Sequence, residues 1–367
     1  MVRFNLLLGF LLFTHFSYSQ KIGSDYEHLM HPVRNYIVYQ TISEINIDGK
    51  PDEISWQQAE WSQYFKDIEG DAKPEPLYQT RFKMLWDEQF LYILAELEEP
   101  HIWSYYATHD QIVFHENDFE IFIDPNRDTH NYFEFELNAR NTLFDLFMSK
   151  PYRNGGRAEI DWNIKNFESA ISINGTLNNP KDIDEKWIVE LAIPFKSLTK
   201  NGKYVVPENG SFWKINFSRV QWKTVVVDGK YQKVKDIETN KYLSENNWVW
   251  SAQGVVNMHF PERWGLAQFS TNKVGRNTTN FYLPDEERLG KYLWYVYYKQ
   301  QSYKREKGIY ANSVSELDIA KQTKTDSGES ILIEIKTNGN GFTATLQNED
   351  GLKLSLNQNE LFQILSK

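Results

Sequence analysis

The stretch from Glu116 to Met148, ENDFEIFIDPNRDTHNYFEFELNARNTLFDLFM, decides the fold of this chain. Apolar and polar residues alternate with a period of two along most of it, which is typical of half-buried β-strands. Turn-forming residues at 125–128 and 139–141 interrupt the alternation, so the stretch predicts three consecutive strands of a meander. One face carries aromatic and aliphatic side chains, and the other carries carboxylates and amides. The carboxylate face either is solvated or binds a ligand.

Short strands separated by turns continue on both sides of this meander. A short strand at Ile45 and Ile47 and a short helix capped by Asp52 are expected to precede it. Further strands are predicted over residues 80–86, 90–97, 167–177, 187–195, 212–220 and 263–270, with a polar excursion over 223–247 and a loop over 248–260. Since strands and helices do not alternate, a parallel sheet is disfavoured. Residues 41–270 are predicted to form an antiparallel β-sandwich.

The character of the sequence changes near residue 271. Residues 271–283 are polar and are predicted to be a linker. Pro284 and three acidic residues then begin a helical repeat of apolar residues, which Gly308 ends. Strand-like runs with Asn-Gly turns follow, so residues 284–367 are predicted to be a small α+β domain.

The N-terminus resembles an export signal. A short basic region precedes an apolar run over Phe4–Phe16, and the small residues around Tyr18 suit a cleavage site. Residues 1–19 are therefore predicted to be a signal peptide, with an uncleaved anchor as the alternative, and residues 20–40 a leader. We expect an exported protein, periplasmic or extracellular, with no membrane association after cleavage.

The composition narrows the class of ligand. The formal net charge is -10, which argues against binding to nucleic acid or anionic membranes because both require clustered basic residues. The chain contains no cysteine, so it has neither disulfides nor thiolate chemistry. Aromatic residues make up 15% of the chain. An acidic protein rich in aromatic residues favours a neutral, hydroxyl-rich ligand.

The motifs leave several kinds of site open. Histidines occur without the close spacing of a transition-metal site, and no cofactor is certain. The oxygen-rich loop from Asp124 to Asp128 could hold a structural calcium ion or could cap its own turn. Glycoside hydrolysis needs two carboxylates across a cleft, and rows such as Glu134 and Glu136 supply carboxylates that could equally line a solvated face.

A sugar site needs a rigid aromatic platform beside hydrogen-bonding groups. The loop before Asp118 contains both, and later loops add more aromatic, amide and histidine side chains, although any one aromatic residue could instead pack in the core. The ligand-binding residues predicted from these loops are Phe114, His115, Glu116, Trp222, Trp250, Asn257 and His259.

Six segments in chain order resemble the family 9 carbohydrate-binding modules, over about residues 40–270. They are INIDGKPDEISW, FKMLWDEQFLYILAELEEP, NDFEIFIDPN, YFEFELNARNTLFD, KWIVELAIPF and ERWGLAQF. The resemblance implies a DOMON-like β-sandwich of the jelly-roll type, often with structural calcium. It also implies binding to glycan chains, typically at their ends, by modules attached to xylanases and other polysaccharide-degrading enzymes.

The resemblance also assigns roles to residues. The first stacking tryptophan of the family falls on Phe114, and its hydroxyl-binding glutamate matches Glu120. The family's arginine on the next strand falls on Glu136, and its second stacking tryptophan falls near Met258 and His259. The tryptophans that could replace the latter in space are Trp222, Trp248 and Trp250.

These observations predict an exported protein that recognises polysaccharide or oligosaccharide chains in carbohydrate catabolism and has no catalytic activity of its own. One alternative is a component of a xylanase-type glycoside hydrolase system with O-glycosyl hydrolase activity. The other is a haem-binding DOMON-like protein, whose axial ligands would come from Met84, Met148, Met258 and His259.

Overall fold

The computed structural model describes residues 26–367, so the predicted signal peptide and the start of the predicted leader lie outside the described residues. The strands are β1 (Asn35–Gln40), β2 (Lys66–Asp67), β3 (Thr80–Trp86), β4 (Phe90–Glu98), β5 (Asp118–Asp124), β6 (Tyr132–Asn138), β7 (Leu143–Met148), β8 (Ala158–Glu159), β9 (Glu168–Asn174), β10 (Lys186–Pro194), β11 (Phe212–Gln221), β12 (Thr224–Val227), β13 (Lys230–Lys233), β14 (Asn246–Val249), β15 (Gly265–Lys273), β16 (Gln322–Lys324), β17 (Ser330–Thr337), β18 (Phe342–Asn348), β19 (Lys353–Asn357) and β20 (Phe362–Ser366). The α-helices are α1 (Glu27–Met30), α2 (Ile54–Gln58) and α3 (Asp285–Lys307). No helix among the described residues has the length and apolar character that crossing a membrane requires.

The first domain is a β-sandwich built from one long sheet. Its strands follow the order β8-β7-β6-β5-β11-β15-β1-β3-β4-β10-β9, and β14 and β2 attach beside β11. Strand β1 runs parallel to both β15 and β3, whereas the other paired strands of this sheet are antiparallel. The two halves of the sheet face each other across a common core, where the ring centroids of Phe82 on β3 and Phe217 on β11 lie 4.0 Å apart. The predicted β-sandwich is confirmed.

Several local predictions are wrong. Residues 35–40 were expected to belong to a leader, but they form β1, and Val38 is fully buried in the core because β1 fills the gap between β15 and β3. No strand forms at residues 45–47, and α2 begins after Glu53 without a side-chain cap from Asp52. The predicted loop over 248–260 begins inside β14, and the first residues of the predicted linker belong to β15.

The second domain packs a long helix on a small meander. Helix α3 begins after Pro284 and ends at Gly308, whose φ of 80° lies in the left-handed region that favours glycine, in agreement with the prediction. The five strands β16 to β20 pair in sequence order, and their apolar face packs against the buried stripe of α3. This arrangement confirms the predicted α+β character of the C-terminal part.

A buried ion-pair network joins the two domains. The Arg153 guanidinium contacts the carboxylates of Glu360 and Glu262, and its Nη2 lies 2.7 Å from Glu262 Oε1. Tyr297 donates a hydrogen bond to Glu360 Oε1 at 2.7 Å, and Tyr298 donates to Glu262 Oε1 at 2.8 Å. Both carboxylates are nearly inaccessible to solvent, so Arg153 supplies the positive charge that they need.

We expect Arg153→Ala to lower the free energy of unfolding by about 3–5 kcal/mol, because it leaves two buried carboxylates without their cation. Urea unfolding followed by circular dichroism measures this change. The matched control is Arg157→Ala, since Arg157 is an exposed arginine on the same segment. Equal stability of the two variants would contradict a stabilising role for the network.

Candidate functional site

The carboxylate face predicted from the opening stretch exists, but solvent does not reach it. Asp118 and Glu120 on β5 and Glu134 and Glu136 on β6 point to the side of the sheet opposite the sandwich core, and we call these four residues the carboxylate cluster. Glu120 lies directly across from Glu136 and, on the other side, from Ser218 of β11. The exposed fractions of the four residues lie between 0% and 5%. The face is therefore buried rather than solvated.

Apolar side chains surround the cluster. On the same face, β7 contributes Phe144 and Leu146, which lie opposite Glu136 and Glu134. Other parts of the chain complete this second apolar group, whose buried members are Val113, Phe122, Tyr132, Phe144, Leu146, Met148 and Trp264, with Tyr106, Ala158 and Met258 packed against them. The carboxylates consequently lie in a low-dielectric environment in which charge is costly.

Burial raises the pKa of every carboxyl group in the cluster, and the charge of Glu120 raises the pKa of the other three further. Burial raises the pKa of Glu120 to about 7 and, together with the charge of Glu120, raises the pKa of Glu134 to about 8. The pKa values of Asp118 and Glu136 rise well above their ordinary range, first through burial and then through the charge of Glu120. The cluster therefore needs bound protons or an added positive charge.

Several oxygens of this cluster have no hydrogen bond of good geometry among the described residues, although the Val220 backbone N–H lies close to Asp118 and the Ser218 hydroxyl lies close to Glu120. They are both carboxylate oxygens of Asp118, one oxygen each of Glu120, Glu134 and Glu136, and the Ser218 hydroxyl. Buried polar atoms are nearly always paired in folded proteins, so this concentration of unpaired oxygens marks a special site.

An aromatic surface lies next to the Asp118 end of the cluster. Trp222 Nε1 donates a hydrogen bond to the Phe114 carbonyl oxygen at 2.9 Å, and the Trp222 backbone N–H donates to Asn117 Oδ1 at 2.8 Å. The Lys233 ammonium lies 3.7 Å from the Trp222 ring centroid and donates to the His115 carbonyl oxygen. We call Phe114, His115, Trp222, Lys233 and the neighbouring Tyr242 the aromatic surface.

The aromatic surface is open to solvent. Phe114 is 36% exposed and Tyr242 is 54% exposed, whereas Trp222 is half-buried. The structure therefore brings together three of the residues predicted from sequence, Phe114, His115 and Trp222. Together they offer apolar ring faces beside an ammonium group.

The remaining predicted residues have other surroundings. Trp250 is 1% exposed and packs against Phe82 in the sandwich core, so it cannot stack on a ligand at the surface. Glu116 is buried and accepts hydrogen bonds from Ser104 Oγ and from the backbone N–H groups of Tyr105 and Tyr106. These bonds hold the loop before β5 in place. Asn257 Oδ1 accepts a hydrogen bond from the His259 backbone N–H at 3.0 Å.

Lys233 and Tyr242 were not predicted from the sequence as site residues. Both lie within the polar excursion predicted over residues 223–247, where Lys233 ends β13 and Tyr242 follows it. Strands β12 and β13 pair around Asp228-Gly229, a two-residue turn signal that favours a β-hairpin. This signal was available in the sequence. What the sequence could not reveal is that the hairpin places Lys233 over the Trp222 ring.

The predicted calcium loop caps its own turn. Asp124 accepts hydrogen bonds from the backbone N–H groups of Arg127 and Thr129, and Asp128 accepts from the His130 backbone and the Asn126 side chain. All four of these carboxylate oxygens thus accept hydrogen bonds.

The candidate haem ligands do not all lie at one site. Met84 packs in the sandwich core, whereas Met148 belongs to the apolar group on the opposite face of the sheet.

His259 lies at the other end of the carboxylate cluster. Its Nδ1 is 2.9 Å from the Tyr132 hydroxyl, its Nε2 is 3.7 Å from Glu134 Oε2, and its ring contacts Tyr152 edge to face. Burial lowers the pKa of His259 to about 4, so the imidazole is neutral at physiological pH.

We expect His259 to make the fold sensitive to acid. Its folded-state pKa lies below the unfolded value of about 6.5, so its contribution is present above pH ~6.5 and is lost as pH falls towards about 4. Between pH ~6.5 and about 4, the free energy of unfolding of the wild type should therefore fall by up to about 3 kcal/mol more than that of His259→Gln. Urea unfolding at several pH values measures it, with His28→Gln as the exposed control. Parallel pH profiles for wild type and His259→Gln would contradict this expectation.

Comparison with known proteins confirms the family that the sequence segments resemble. The model of the family described as "Carbohydrate family 9 binding domain-like" matches residues 47–249. An endo-1,4-β-xylanase C from Paenibacillus barcinonensis is 28% identical over 187 residues, which cover 50% of this chain and 14% of the relative. The chain thus matches only a small part of that enzyme's length.

Solved structures give a more distant likeness. One is a candidate carbohydrate-binding protein from Bacteroides uniformis, with a TM-score of 0.47 and 14% identity, covering 65% of this chain and 100% of that one. Another is a family 9 carbohydrate-binding module from Caldicellulosiruptor kristjanssonii in complex with glucose, with a TM-score of 0.41 and 16% identity, covering 67% of this chain and 100% of that one. Because the family match over residues 47–249 spans more than half of the 367 residues, this chain belongs to the carbohydrate family 9 binding domain-like family.

Proposed function

We propose that this protein binds carbohydrate chains at the aromatic surface of its sandwich. The observation that carries the proposal is the placement of two partly exposed aromatic residues side by side: Trp222 Nε1 donates a hydrogen bond to the Phe114 backbone carbonyl oxygen, and the Lys233 ammonium lies over the Trp222 ring. Membership of a carbohydrate-binding family supports the same class of ligand.

The chemistry of the aromatic surface suits a sugar. Sugar rings present apolar C–H faces, which pack on aromatic side chains, and hydroxyl groups, which need hydrogen-bond partners. Phe114 and Tyr242 supply exposed ring surface, while the Lys233 ammonium and the His115 imidazole can pair with hydroxyl groups. The hydrogen bonds between Trp222 and its neighbours hold the platform rigid before a ligand arrives, which lowers the entropic cost of binding.

Polysaccharides of the plant cell wall are the proposed ligand class. The relative from Paenibacillus barcinonensis is an endo-1,4-β-xylanase, and the matching segment is a small part of it. We propose that the present chain is exported and acts in carbohydrate catabolism as a binding protein. The carboxylate cluster is at most 5% exposed, so its acids are not open to a polysaccharide for hydrolysis.

We expect Trp222→Ala and Phe114→Ala each to weaken glycan binding at least about tenfold, or about 1.4 kcal/mol, because each removes a stacking surface. Affinity electrophoresis on xylan and cellulose, followed by calorimetry with xylo- and cello-oligosaccharides, measures the change. Trp222→Phe should retain part of the affinity, since it keeps an aromatic ring.

Tyr204→Ala is the matched control, because Tyr204 is an exposed aromatic residue outside the aromatic surface. Circular dichroism of each variant separates loss of fold from loss of binding. Wild-type protein that binds none of a broad glycan panel would overturn the proposal. Release of reducing sugar that Glu120→Gln abolishes would instead support the hydrolase alternative.

A further inference from the structure

We propose that a cleft beside β1 binds an oligosaccharide as a second glycan site, apart from the aromatic surface. The cleft lies between β1 and two segments, 58–63 and 274–279, and its volume is about 470 Å³. We call it the β1 cleft. Volumes of roughly 300–1,000 Å³ are typical of sites for small ligands. No residue of the aromatic surface or of the carboxylate cluster borders the β1 cleft, so it is a separate site.

Incomplete strand pairing leaves the space for the cleft. Strand β1 pairs with β15 along its whole length, but it pairs with β3 only through Tyr39 and Gln40. Beside the earlier part of β3, Ser62 takes the place of a strand partner. The Ser62 backbone N–H donates to the Phe82 carbonyl oxygen at 2.8 Å, and the Phe82 N–H donates to Ser62 Oγ at 3.0 Å. The first half of β1 and the segment 58–63 therefore face each other across a gap that backbone hydrogen bonds hold open.

Trp61 supplies an aromatic wall of the β1 cleft. The Arg81 guanidinium carbon lies 4.3 Å from the Trp61 ring centroid, and the Lys83 ammonium lies 4.6 Å from it. Arg81 and Lys83 are two positions apart on β3 and so share one face of that strand. Neither cation borders the cleft, whereas Trp61 does. The half-buried indole thus packs on β3 through two cation–π contacts and presents its remaining surface to the cleft, as a preformed stacking platform.

Hydrogen-bonding groups border the same space. The Thr279 backbone N–H donates to the Tyr39 hydroxyl at 2.9 Å, which fixes the segment 274–279 against β1. Gln63 on one wall and Asn277 on the other are both exposed, so their amide groups are available to a ligand. An amide group both donates and accepts hydrogen bonds, as a sugar hydroxyl does.

The charges of the β1 cleft favour a neutral ligand. Two charged side chains, Glu60 and Arg276, occur among the described residues that border it, and their formal charges cancel. An aromatic wall, exposed amide groups and no net charge suit a neutral oligosaccharide better than an anionic or cationic ligand. This inference rests on the proposed function for the class of ligand alone, since it does not require that the aromatic surface binds glycan.

Calorimetry of the whole purified protein with xylotetraose and cellotetraose tests the second site. Trp222→Ala should leave a residual binding event, because Trp222 does not border the β1 cleft. In that background, Trp61→Ala should weaken the residual binding at least about tenfold, since it removes the stacking platform. Trp61→Phe should retain part of the affinity. Asn277→Ala, a change at an exposed position outside the core, should also weaken the residual binding.

Tyr64→Ala is the matched control. Tyr64 is 44% exposed and its ring centroid lies 5.4 Å from the same Arg81 guanidinium carbon, but it does not border the cleft. It should bind oligosaccharide like its parent, and circular dichroism checks the fold of every variant.

The two sites can fail separately. Loss of all binding in Trp222→Ala, or residual binding that Trp61→Ala leaves unchanged or that Tyr64→Ala weakens equally, would overturn the second site and leave the aromatic surface in place. Binding that Trp61→Ala abolishes in the wild-type background and Trp222→Ala leaves intact would support the β1 cleft and overturn the aromatic surface.

Discussion

The register of β5 against β6 is the constraint on which both faces of the sandwich depend. With Ile121 opposite Phe135 in the core, Glu120 must lie opposite Glu136 on the other side of the sheet. A slip of one residue would exchange the two faces and place acidic side chains in the aromatic core. The packing of the core therefore enforces the close approach of carboxylates outside it. Acidic side chains are thus brought together as a consequence of apolar burial.

The buried cluster and the open aromatic surface are adjacent but chemically distinct. Asn117, immediately before Asp118, connects them, since its side chain accepts the Trp222 backbone N–H. A second connection runs towards the C-terminal domain, because the segment containing His259 contacts the cluster and continues to Glu262, which pairs with Arg153. Docking of the α+β domain thus helps to hold the loop that covers one end of the cluster.

Much of the fold followed from local patterns. Period-two alternation located the strands of the sandwich, and the acidic first turn and terminal glycine located α3, because both signals act over a few residues. The position of β1 did not follow, although Tyr36-Ile-Val-Tyr39 is rich in strand-forming residues. Its parallel pairing with β15 joins residues more than two hundred positions apart, and no local pattern encodes such a partner. The hairpin of β12 and β13 had a turn signal, but its place beside Trp222 depends on tertiary packing.

The sequence by itself determined which side chains share a face and that the protein is a family 9 type sandwich, and it predicted Phe114 and Glu120 as ligand-binding residues. Only the tertiary structure decided that Glu120 is buried, that Trp222 rather than Trp250 lies beside Phe114, and that four carboxyl groups are enclosed together by apolar side chains. Alternation specifies the direction of a side chain from its strand, which is a local property. The surroundings that a side chain meets in that direction, whether solvent, core or another carboxylate, depend on strands and loops that are distant in the chain. Burial of the whole core brings those segments together.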